Sequence, residues 1–465
     1  MIGPFFCYNT DMNPEQTFFF YDLETSGLSP REDRIMQFAG IRTNIELEQI
    51  GEPVNILVKL SEDTLPSPQA IMVTKITPQS TLLDGLTEAE FCKYVSDEIF
   101  TPGTIATGYN SVRFDDEHMR YTFWRNFYDP YEWQWKDGRS RWDLLDVVRM
   151  TRALRPEDIN WPVTKEGRAT NRLELITKEN GIVHEHAHDA LSDVEALISV
   201  TRLIKEHQPQ LYNYLFKMRE KKAVLQLVNL ENPVPFVYSC GRYSSEFNKT
   251  TVAYPIAPAK NGNVLVFDLR CNLDERLAEN RENDKFYPVV KELKYNHCPA
   301  VAPLGVLEQG DGWSKIKLDK ETVKNNLKIL LSHPDFIEQM RTVNEQQPEF
   351  EPAIDSESAL YDGFLDATDR TRCTAVRRAK ANDLADFHPD FVDPRLPDLL
   401  LHYKARNFES SLSETERAKW EEYRMARIKR HQNDYIKQIQ DLAATGADPY
   451  LLEELQLWYQ SLLPY

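Results

Sequence analysis

The sequence predicts an α/β domain, a β-rich domain and a helical domain, in that order along the chain. Up to about residue 208, short apolar runs are followed by alternating strand-like and helix-like segments, which is typical of α/β domains. Residues 233–306 carry short β-like runs between Gly, Asn and Pro turns. Helical periodicity follows the polar, proline-bearing stretch 344–357. At 465 residues the chain has room for roughly two to four domains.

In the first domain, apolar runs that end in polar turns predict strands, and amphipathic periodicity predicts helices. The predicted strands are Thr17–Tyr21, Ile35–Arg42, Val54–Leu60 and Thr104–Tyr109. The predicted helices are 88–100, 116–127 and Asp189–Lys205, the last with Asp189 as its N-cap.

The runs PFVYSC, TTVAYPIA and NVLVFDL in the second domain indicate a small barrel or sandwich. In the third, Ser413 and Glu416 form a capping-box pattern before a long charged helix, and Leu451–Leu463 predicts a final helix. The predicted domains are therefore 1–208, 209–347 and 350–465.

Composition predicts a cytoplasmic protein with no membrane segment. The six cysteines are scattered without a CxxC pair, which favours reduced thiols. The N-terminus has no basic stretch followed by an apolar one, and the longest apolar runs are only strand-length.

The net charge of −18 argues against nucleic-acid binding only superficially, because the field that a ligand meets is local. Residues 117–178 contain twelve Lys/Arg against ten Asp/Glu and hold five of the eight tryptophans. Basic residues interleaved with aromatic ones suit a channel for a single nucleic-acid strand. An aromatic core surrounded by solvated arginines would give the same composition.

Asp22 and Glu24 lie two residues apart at the end of the first predicted strand, so both carboxylates point to one face. Two adjacent carboxylates repel each other unless a cation lies between them, and Mg²⁺ or Mn²⁺ prefers such oxygen ligands. Two solvated acids at a surface strand end are the simpler alternative.

Two further segments place acids where a strand meets a helix or where a helix begins. The string GYNSVRFDD puts Asp115 at such a junction, where it could instead cap the helix and where Asp116 competes for a ligand role. In HDALSD, Asp193 lies one turn after Asp189, and His188 precedes the helix with a near-neutral pKa that suits a general base. A loop histidine beside a solvated helix start is the alternative.

His184, His186 and His188 alternate as zinc ligands on a strand can. Zinc requires three or four nitrogen or sulfur ligands, and no cysteine lies nearby in the sequence. We therefore interpret His184 and His186 as loop histidines.

Taken together, Asp-x-Glu, a later Asp and His-x4-Asp resemble the DEDDh exonuclease family, whose fold is ribonuclease-H-like. The resemblance implies that two Mg²⁺ ions, with Mn²⁺ as a substitute, are held by acids at matching positions and that His188 is the general base. The implied metal ligands are Asp22, Glu24, Asp115 and Asp193.

Longer strings resemble bacterial exonuclease I in particular, among them RNFYDPYEWQW (125–135), SRWDLLDVVRMTRALRPEDINWP (140–162) and HYKARNF (402–408). This resemblance covers nearly the whole chain and implies an SH3-like β domain and a helical C-terminal domain after the exonuclease domain. It implies 3′→5′ hydrolysis of single-stranded DNA to 5′-mononucleotides, in DNA repair and recombination, by a monomer.

The same resemblance implies DNA contacts and a protein partner. The substrate-binding positions are Glu24, Arg172, Arg120, Tyr131, Trp135, Arg149, Arg155, Tyr214 and Lys221. Asn171 departs from the family, which often has an aromatic residue before the arginine. The partner is the single-stranded DNA-binding protein, whose acidic tail would meet Arg155 and Tyr214.

Two other functions fit parts of this pattern. A DEDDh ribonuclease that trims RNA would carry the same acids, because discrimination depends on how the site treats a 2′-hydroxyl. A non-catalytic nucleic-acid-binding protein would lack some of the four acids or the histidine of this motif, whereas all five residues are present here.

Overall fold

A computed structural model describes residues 15–184, 189–278, 289–346 and 351–463. The strands are β1 (Thr17–Thr25), β2 (Ile35–Thr43), β3 (Val54–Leu57), β4 (Thr104–Gly108), β5 (Ser140–Asp143), β6 (Phe236–Ser239), β7 (Thr250–Pro258), β8 (Val264–Asp268), β9 (Val290–Leu293) and β10 (Ala300–Pro303). They form two five-stranded sheets.

The helices in the N-terminal half are α1 (Pro68–Thr74), α2 (Pro78–Asp84), α3 (Glu88–Tyr94), α4 (Asp115–Arg125), α5 (Leu144–Leu154), α6 (Leu173–Glu179), α7 (Ala190–His207), α8 (Pro209–Lys217) and α9 (Lys221–Leu227). The later helices are α10 (Leu273–Ala278), α11 (Gly312–Lys315), α12 (Lys320–Leu331), α13 (Pro334–Gln346), α14 (Ala367–Arg378), α15 (Leu396–Asn407), α16 (Glu414–Ala444) and α17 (Pro449–Ser461).

The first sheet has the order β3-β2-β1-β4-β5, in which β1 pairs antiparallel with β2 and parallel with β4. Strand β1 is buried on both faces. Phe18 and Phe20 pack in one cluster with Trp142, whereas Phe19 and Tyr21 pack in another with Phe38. This explains why its sequence is a continuous apolar run rather than an alternating one.

The predicted strands of this sheet are confirmed, but each ends at a different residue: the first continues to Thr25 and the second to Thr43. The third strand stops at Leu57 instead of Leu60, and the fourth stops at Gly108 because Asn110 adopts a left-handed conformation, with φ of 67°. The helix predicted over 88–100 is α-helical only over Glu88–Tyr94 and continues as a π-helix over Val95–Ile99.

The second sheet is antiparallel throughout, with the order β10-β6-β7-β8-β9, and it confirms the predicted small β domain. It packs beside the first sheet through α5, which contacts β6, β7 and β10. The Arg141 side chain, at the end of β5, also donates to the backbone carbonyl of Asn296 at 2.6 Å.

The C-terminal helices pack directly on the N-terminal α/β part. Tyr121, Trp124 and Phe127 share one apolar cluster with residues of α14 and α15. The Trp124 indole donates to the carbonyl of Ser356 at 2.9 Å. The predicted capping box is present, because the Ser413 hydroxyl accepts from the Glu416 amide at the start of α16.

A buried ionic network crosses the same interface and is called the interface network below. Its members are Arg34, Asp63, Glu357, Arg406 and Arg427, with His402 bonded to Glu357. Arg34 lies 3.3 Å from Asp63 and 2.8 Å from Glu357, and the side chains of both acids are 0% exposed. The N-terminal and C-terminal parts therefore share a charged core as well as an apolar one.

Within the described ranges, no helix is both long enough and apolar enough to span a lipid bilayer.

Candidate active site

Three carboxylates converge where β1 meets the start of α7. Asp22 and Glu24 project from the same face of β1, and Asp193 reaches this face from the first turn of α7. One oxygen from each acid lies within 4.8 Å of the others. The structure therefore brings together the Asp-x-Glu pair and the aspartate of the His-x4-Asp motif, and the role of these acids as metal ligands stays a prediction.

The cluster contains charges of one sign. Burial and the neighbouring carboxylates of Asp193 and Asp189 raise the pKa of Asp22 well above its usual value. Burial, followed by Asp22 and Asp193, raises the pKa of Glu24 to about 9. Among the described residues, no Lys or Arg lies within salt-bridge distance of Asp22 or Glu24. An oxygen-rich group with this unbalanced charge fits divalent cations, which prefer carboxylate ligands.

Asp115 and Asp116 begin α4, and the structure separates their roles. Asp116 accepts a hydrogen bond from the Tyr21 hydroxyl at 2.6 Å and pairs with the Arg141 guanidinium, so its charge is neutralised. Asp115 is 4% exposed, and burial together with Asp22 and Asp116 raises its pKa well above the usual range. Asp116 is thus engaged within the protein, whereas Asp115 lies outside the group of three acids whose oxygens are within 4.8 Å of one another, and its role as the fourth ligand stays a prediction.

The segment before α7 is described only in part. Asp189 caps the helix as predicted, because its carboxylate accepts from the Ser192 amide at 3.1 Å. His188, the predicted general base, and His186 lie outside the described residues. The role of His188 therefore stays a prediction.

His184 lies in a loop, as predicted, but it contacts the acid cluster, which was not predicted. Its side chain is 3% exposed, and its Nε2 lies 2.7 Å from the Asp193 carboxylate. Its Nδ1 lies 3.2 Å from the Thr177 hydroxyl of α6. The imidazole thus holds one of the clustered acids in place, as residues behind metal ligands commonly do. Sequence spacing carries no signal for this contact, which depends on how the loop after α6 approaches α7.

Several predicted DNA contacts are accessible. Arg172, just before α6, has a side chain that is 74% exposed and lies 3.9 Å from Glu174. Trp135 is 65% exposed, and Lys221 at the start of α9 is also exposed. Such side chains are free to meet a phosphate or a base.

Other predicted contacts are engaged within the protein. Arg120 is buried, pairs with Glu117, donates to Gln134 at 2.7 Å and lies over the Tyr131 ring at 5.6 Å. It therefore holds the Tyr131 ring in position, and the DNA contact predicted for it would require a rearrangement of these bonds. Arg149 pairs with Asp146 and packs against Gly241, where a Cβ atom would approach the guanidinium to 3.0 Å.

Arg155 directly follows α5, and Tyr214 lies on α8, which packs against α5. The Arg155 guanidinium donates to the Gln309 side chain at 3.2 Å, and Tyr214 is partly buried. Both residues are described, and no hydrogen bond or cation–π contact joins them. The predicted pairing of these side chains around a peptide tail stays a prediction.

Family models match three successive stretches of the chain. The model described as exonuclease matches residues 19–201, the exonuclease I SH3-like domain matches 219–346, and the exonuclease I C-terminal domain matches 354–462. Their order confirms the predicted fold class: a ribonuclease-H-like exonuclease domain, an SH3-like β domain and a helical C-terminal domain.

Individual proteins and structures agree with these models. Exodeoxyribonuclease I of Haemophilus influenzae is 37% identical over 449 residues, covering 93% of this chain and 95% of the relative. The crystal structure of Escherichia coli exonuclease I with a dA16 oligonucleotide has a TM-score of 0.91 and 35% identity, covering 96% of this chain and 100% of that one. The zinc-bound form of the E. coli enzyme with single-stranded DNA has a TM-score of 0.90 and 35% identity, covering 96% and 99% of the two chains.

Proposed function

Because this chain belongs to the exonuclease I family, we propose that it hydrolyses single-stranded DNA from the 3′ end and releases 5′-mononucleotides. The observation that carries the proposal is the convergence of Asp22, Glu24 and Asp193 within 4.8 Å, with Asp115 coupled electrostatically to Asp22. The relatives are exodeoxyribonucleases and the E. coli enzyme binds a dA16 oligonucleotide, which supports the choice of DNA and of a single strand.

In this mechanism, Asp22, Glu24, Asp115 and Asp193 would hold two divalent cations, Mg²⁺ by preference with Mn²⁺ as a substitute. When bound, such ions activate a water molecule and stabilise the charge on the scissile phosphate. The contact with His184 would keep the Asp193 carboxylate in position to bind a cation. Glu24 would also meet the substrate, and the exposed Arg172 would bind a phosphate oxygen.

His188 would accept the proton of the attacking water. We expect His188→Ala to lower the chemical rate by about 10²–10⁴, the usual effect of losing a general base, with metal affinity unchanged. His186→Ala, which removes a histidine from the same segment, is the matched control. Single-turnover hydrolysis at saturating metal measures the effect. An unchanged rate would show that His188 is not the general base.

The proposed reaction is tested with end-labelled single-stranded DNA, duplex DNA and single-stranded RNA, each with Mg²⁺ or EDTA. We expect mononucleotides from the 3′ end of single-stranded DNA only, and no product in EDTA. Faster digestion of RNA would favour a ribonuclease that trims RNA ends. Duplex digestion at the same rate would refute strand selectivity.

We also propose a cytoplasmic monomer that acts in DNA repair and recombination with the single-stranded DNA-binding protein. The acidic tail of that protein would dock near Arg155 and Tyr214, on the packed helices α5 and α8. Fluorescence anisotropy with a labelled tail peptide tests the contact. Undiminished binding by Arg155→Ala would count against it.

A further inference from the structure

A tight turn between β4 and α4 leads the chain to Asp115. Strand β4 ends at Gly108, and α4 begins at Asp115. Between them, Asn110 has a φ of 67° and a short 3-10 helix spans Ser111–Arg113. The turn folds closely onto the end of its own strand, because a Cβ atom on Gly108 would lie 2.5 Å from the Ser111 Cβ. The position of Asp115 therefore depends on the contacts that hold this turn.

The Asp143 side chain, at the end of β5, holds the turn from the neighbouring strand. Its Oδ1 accepts from the backbone amide of Asn110 at 2.9 Å, and its Oδ2 accepts from that of Val112 at 3.2 Å. In the parallel pairing of β4 with β5, Asp143 lies beside Gly108, the last residue of β4. Val112 is 3% exposed, and a buried amide requires a partner. Asp143 provides that partner.

The same carboxylate is the N-cap of α5. Its Oδ1 also accepts from the Leu145 amide at 2.9 Å. Burial and the neighbouring Asp146 raise the pKa of the Asp143 carboxyl to about 6, whereas its bonds to backbone amides act in the opposite direction. An uncharged Asn would cap the helix equally well and would be easier to bury. The feature that only a carboxylate provides is a second acceptor oxygen, and that oxygen serves the turn.

Arg141 acts on the other side of Asp115. It lies two residues before Asp143, so both side chains project from the same face of β5. Its guanidinium pairs with Asp116, the second residue of α4, and donates to the carbonyl of Asn296 in the SH3-like domain at 2.6 Å. Arg141 is 7% exposed and Asp116 is 1% exposed. Solvent ions therefore screen this pair little.

Asp116 connects this support to the strand that carries the clustered acids. The Tyr21 hydroxyl donates to Asp116 at 2.6 Å, and Tyr21 directly precedes Asp22 on β1. The start of α4 is thus bonded to β1 and to β5 at once. Asp115 lies between two held points, which are the turn bonded to Asp143 and the side chain of Asp116.

Asp143 and Asp116 hold a proposed ligand instead of joining it. In Asp116, one oxygen accepts from Tyr21 and the other from Arg141. In Asp143, one oxygen accepts two backbone amides and the other accepts one. All four carboxylate oxygens are therefore engaged by donors of the protein itself.

We propose that strand β5 positions Asp115 for metal binding. Asp143 orders the turn before Asp115, and Arg141 holds Asp116 directly after it. Both residues act through Asp115, so they are positioning residues and not catalytic ones. The inference rests on the proposed function, because Asp115 is one of the metal ligands in that proposal.

The main test is Asp143→Asn, which retains the helix cap and one acceptor oxygen but turns an N–H group toward the Val112 amide. We expect the Mn²⁺ affinity of the DNA-free protein to fall about 10- to 100-fold, the usual range for a residue that orients a metal ligand. Isothermal titration measures this affinity. In hydrolysis assays, kcat at low Mn²⁺ should fall and should recover as Mn²⁺ is raised, with KM for dT30 unchanged.

Asp448→Asn is the matched control. Asp448 caps α17 by accepting from the amide of Tyr450, two residues further on, as Asp143 caps α5 through Leu145. It is exposed and lies in the C-terminal domain. The same substitution in the same capping role should leave the Mn²⁺ affinity unchanged. An equal loss of affinity in the two variants would overturn the proposal.

A double-mutant cycle separates positioning from a general structural role. If β5 acts through Asp115, then Asp143→Asn should add nothing to the loss of Mn²⁺ affinity caused by Asp115→Asn, because coupled residues are not additive. Additive losses would overturn the proposal. Arg141→Lys keeps the positive charge but loses the planar guanidinium. It should show the same lack of additivity with a smaller loss, and it replaces Asp143→Asn in the cycle if that variant does not fold.

The outcomes also separate this inference from the proposed function. If the wild type hydrolyses no single-stranded DNA, the proposed function fails, and a loss of Mn²⁺ affinity that depends on Asp115 still supports the positioning. If Asp115→Asn weakens Mn²⁺ binding but Asp143→Asn and Arg141→Lys do not, the positioning fails and the function stands. If Asp115→Asn leaves the affinity unchanged, Asp115 is not a ligand and the positioning is overturned with it.

Discussion

The molecule contains a half-buried group of carboxylates at the active site and a fully buried group in the interface network, and the two have opposite electrostatics. At the active site, Asp22 and Glu24 have raised pKa values because burial and neighbouring acids both disfavour the charged form. In the interface network, burial alone would raise the pKa of Asp63, but Arg406 and Arg34 overcome it and hold that pKa well below the usual range. The pKa of Glu357 is also well below its usual value, because Arg406 and Arg34 outweigh the effect of burial.

The comparison teaches that neighbours, and not burial, separate a functional carboxylate from a structural one. The adjacent residues Asp115 and Asp116 show the same difference within one dipeptide. Asp116 is neutralised by Arg141 and bonded to Tyr21, whereas Asp115 faces the charge of Asp22. Acids left without a cationic side chain are those available to a metal ion.

The largest expected effect comes from removing one acid of the active site. Asp22→Asn or Asp193→Asn should lower the hydrolysis rate at least about 10³-fold, equivalent to about 4 kcal/mol, because the ligands act as one unit. The melting temperature without metal should stay the same or rise, since repulsion is relieved. Steady-state assays and thermal melts measure both quantities.

Asp189→Asn is the matched control for this experiment. Asn caps helices as well as Asp does, so α7 should remain intact and most of the activity should survive. A cluster variant that keeps the wild-type rate would show that its acid is not a metal ligand.

Breaking the interface network should affect stability instead of chemistry. Glu357→Gln leaves Arg34 and Arg406 with less compensation, and removal of one partner from a buried ion pair costs about 3–5 kcal/mol. Urea unfolding gives the free energy of unfolding. The control is Glu321→Gln, whose exposed pair with Lys324 should contribute less than about 1 kcal/mol. Equal changes in the two variants would contradict the structural role of the network.

A smaller effect is expected from His184, which acts through Asp193. His184→Ala should weaken metal affinity about 10- to 100-fold, the usual range for a residue that orients a metal ligand. His184→Gln, which can still donate to the carboxylate, should recover part of the loss. Isothermal titration with Mn²⁺ measures the affinity, and His333→Ala is the control on an exposed surface. An unchanged affinity would mean that Asp193 needs no such support.

The last expected effect is a pH dependence of the stability of the metal-free protein. The pKa of Glu24 is about 9 in the folded state against an ordinary value of 4.5. Between these values the folded state binds more protons than the unfolded state, so stability falls as pH rises. The free energy of unfolding of wild type relative to Glu24→Gln should therefore decrease from pH 5 to pH 9 in EDTA. A difference that stays constant across this range would contradict the raised pKa.

The interface network also bears on the C-terminal domain. Deleting the C-terminal domain would leave Arg34 and Asp63 without Glu357 and Arg406, and would expose Trp124 and its apolar cluster. The C-terminal domain is therefore part of the core on which the exonuclease domain depends.

The sequence by itself determined the order of the three domains and, through strand β1 and helix α7, the three acids that converge at the site; resemblance to a known family added the fold class. These properties follow from local periodicity and from short motifs, in which residues a few positions apart share a face or a turn. Two such properties are the shared face of β1 from which the Asp22 and Glu24 side chains project, and the helix caps at Asp189 and Ser413.

Only the tertiary structure decided which charged groups are neutralised. Asp116 pairs with Arg141, which is 25 positions away in the sequence, and Arg34 pairs with Glu357, which is 323 positions away. The contact between His184 and Asp193 likewise depends on packing between separate elements. Sequence periodicity reports how one element is oriented, whereas the pairing of buried charges depends on which elements meet, and that is decided when the whole chain folds.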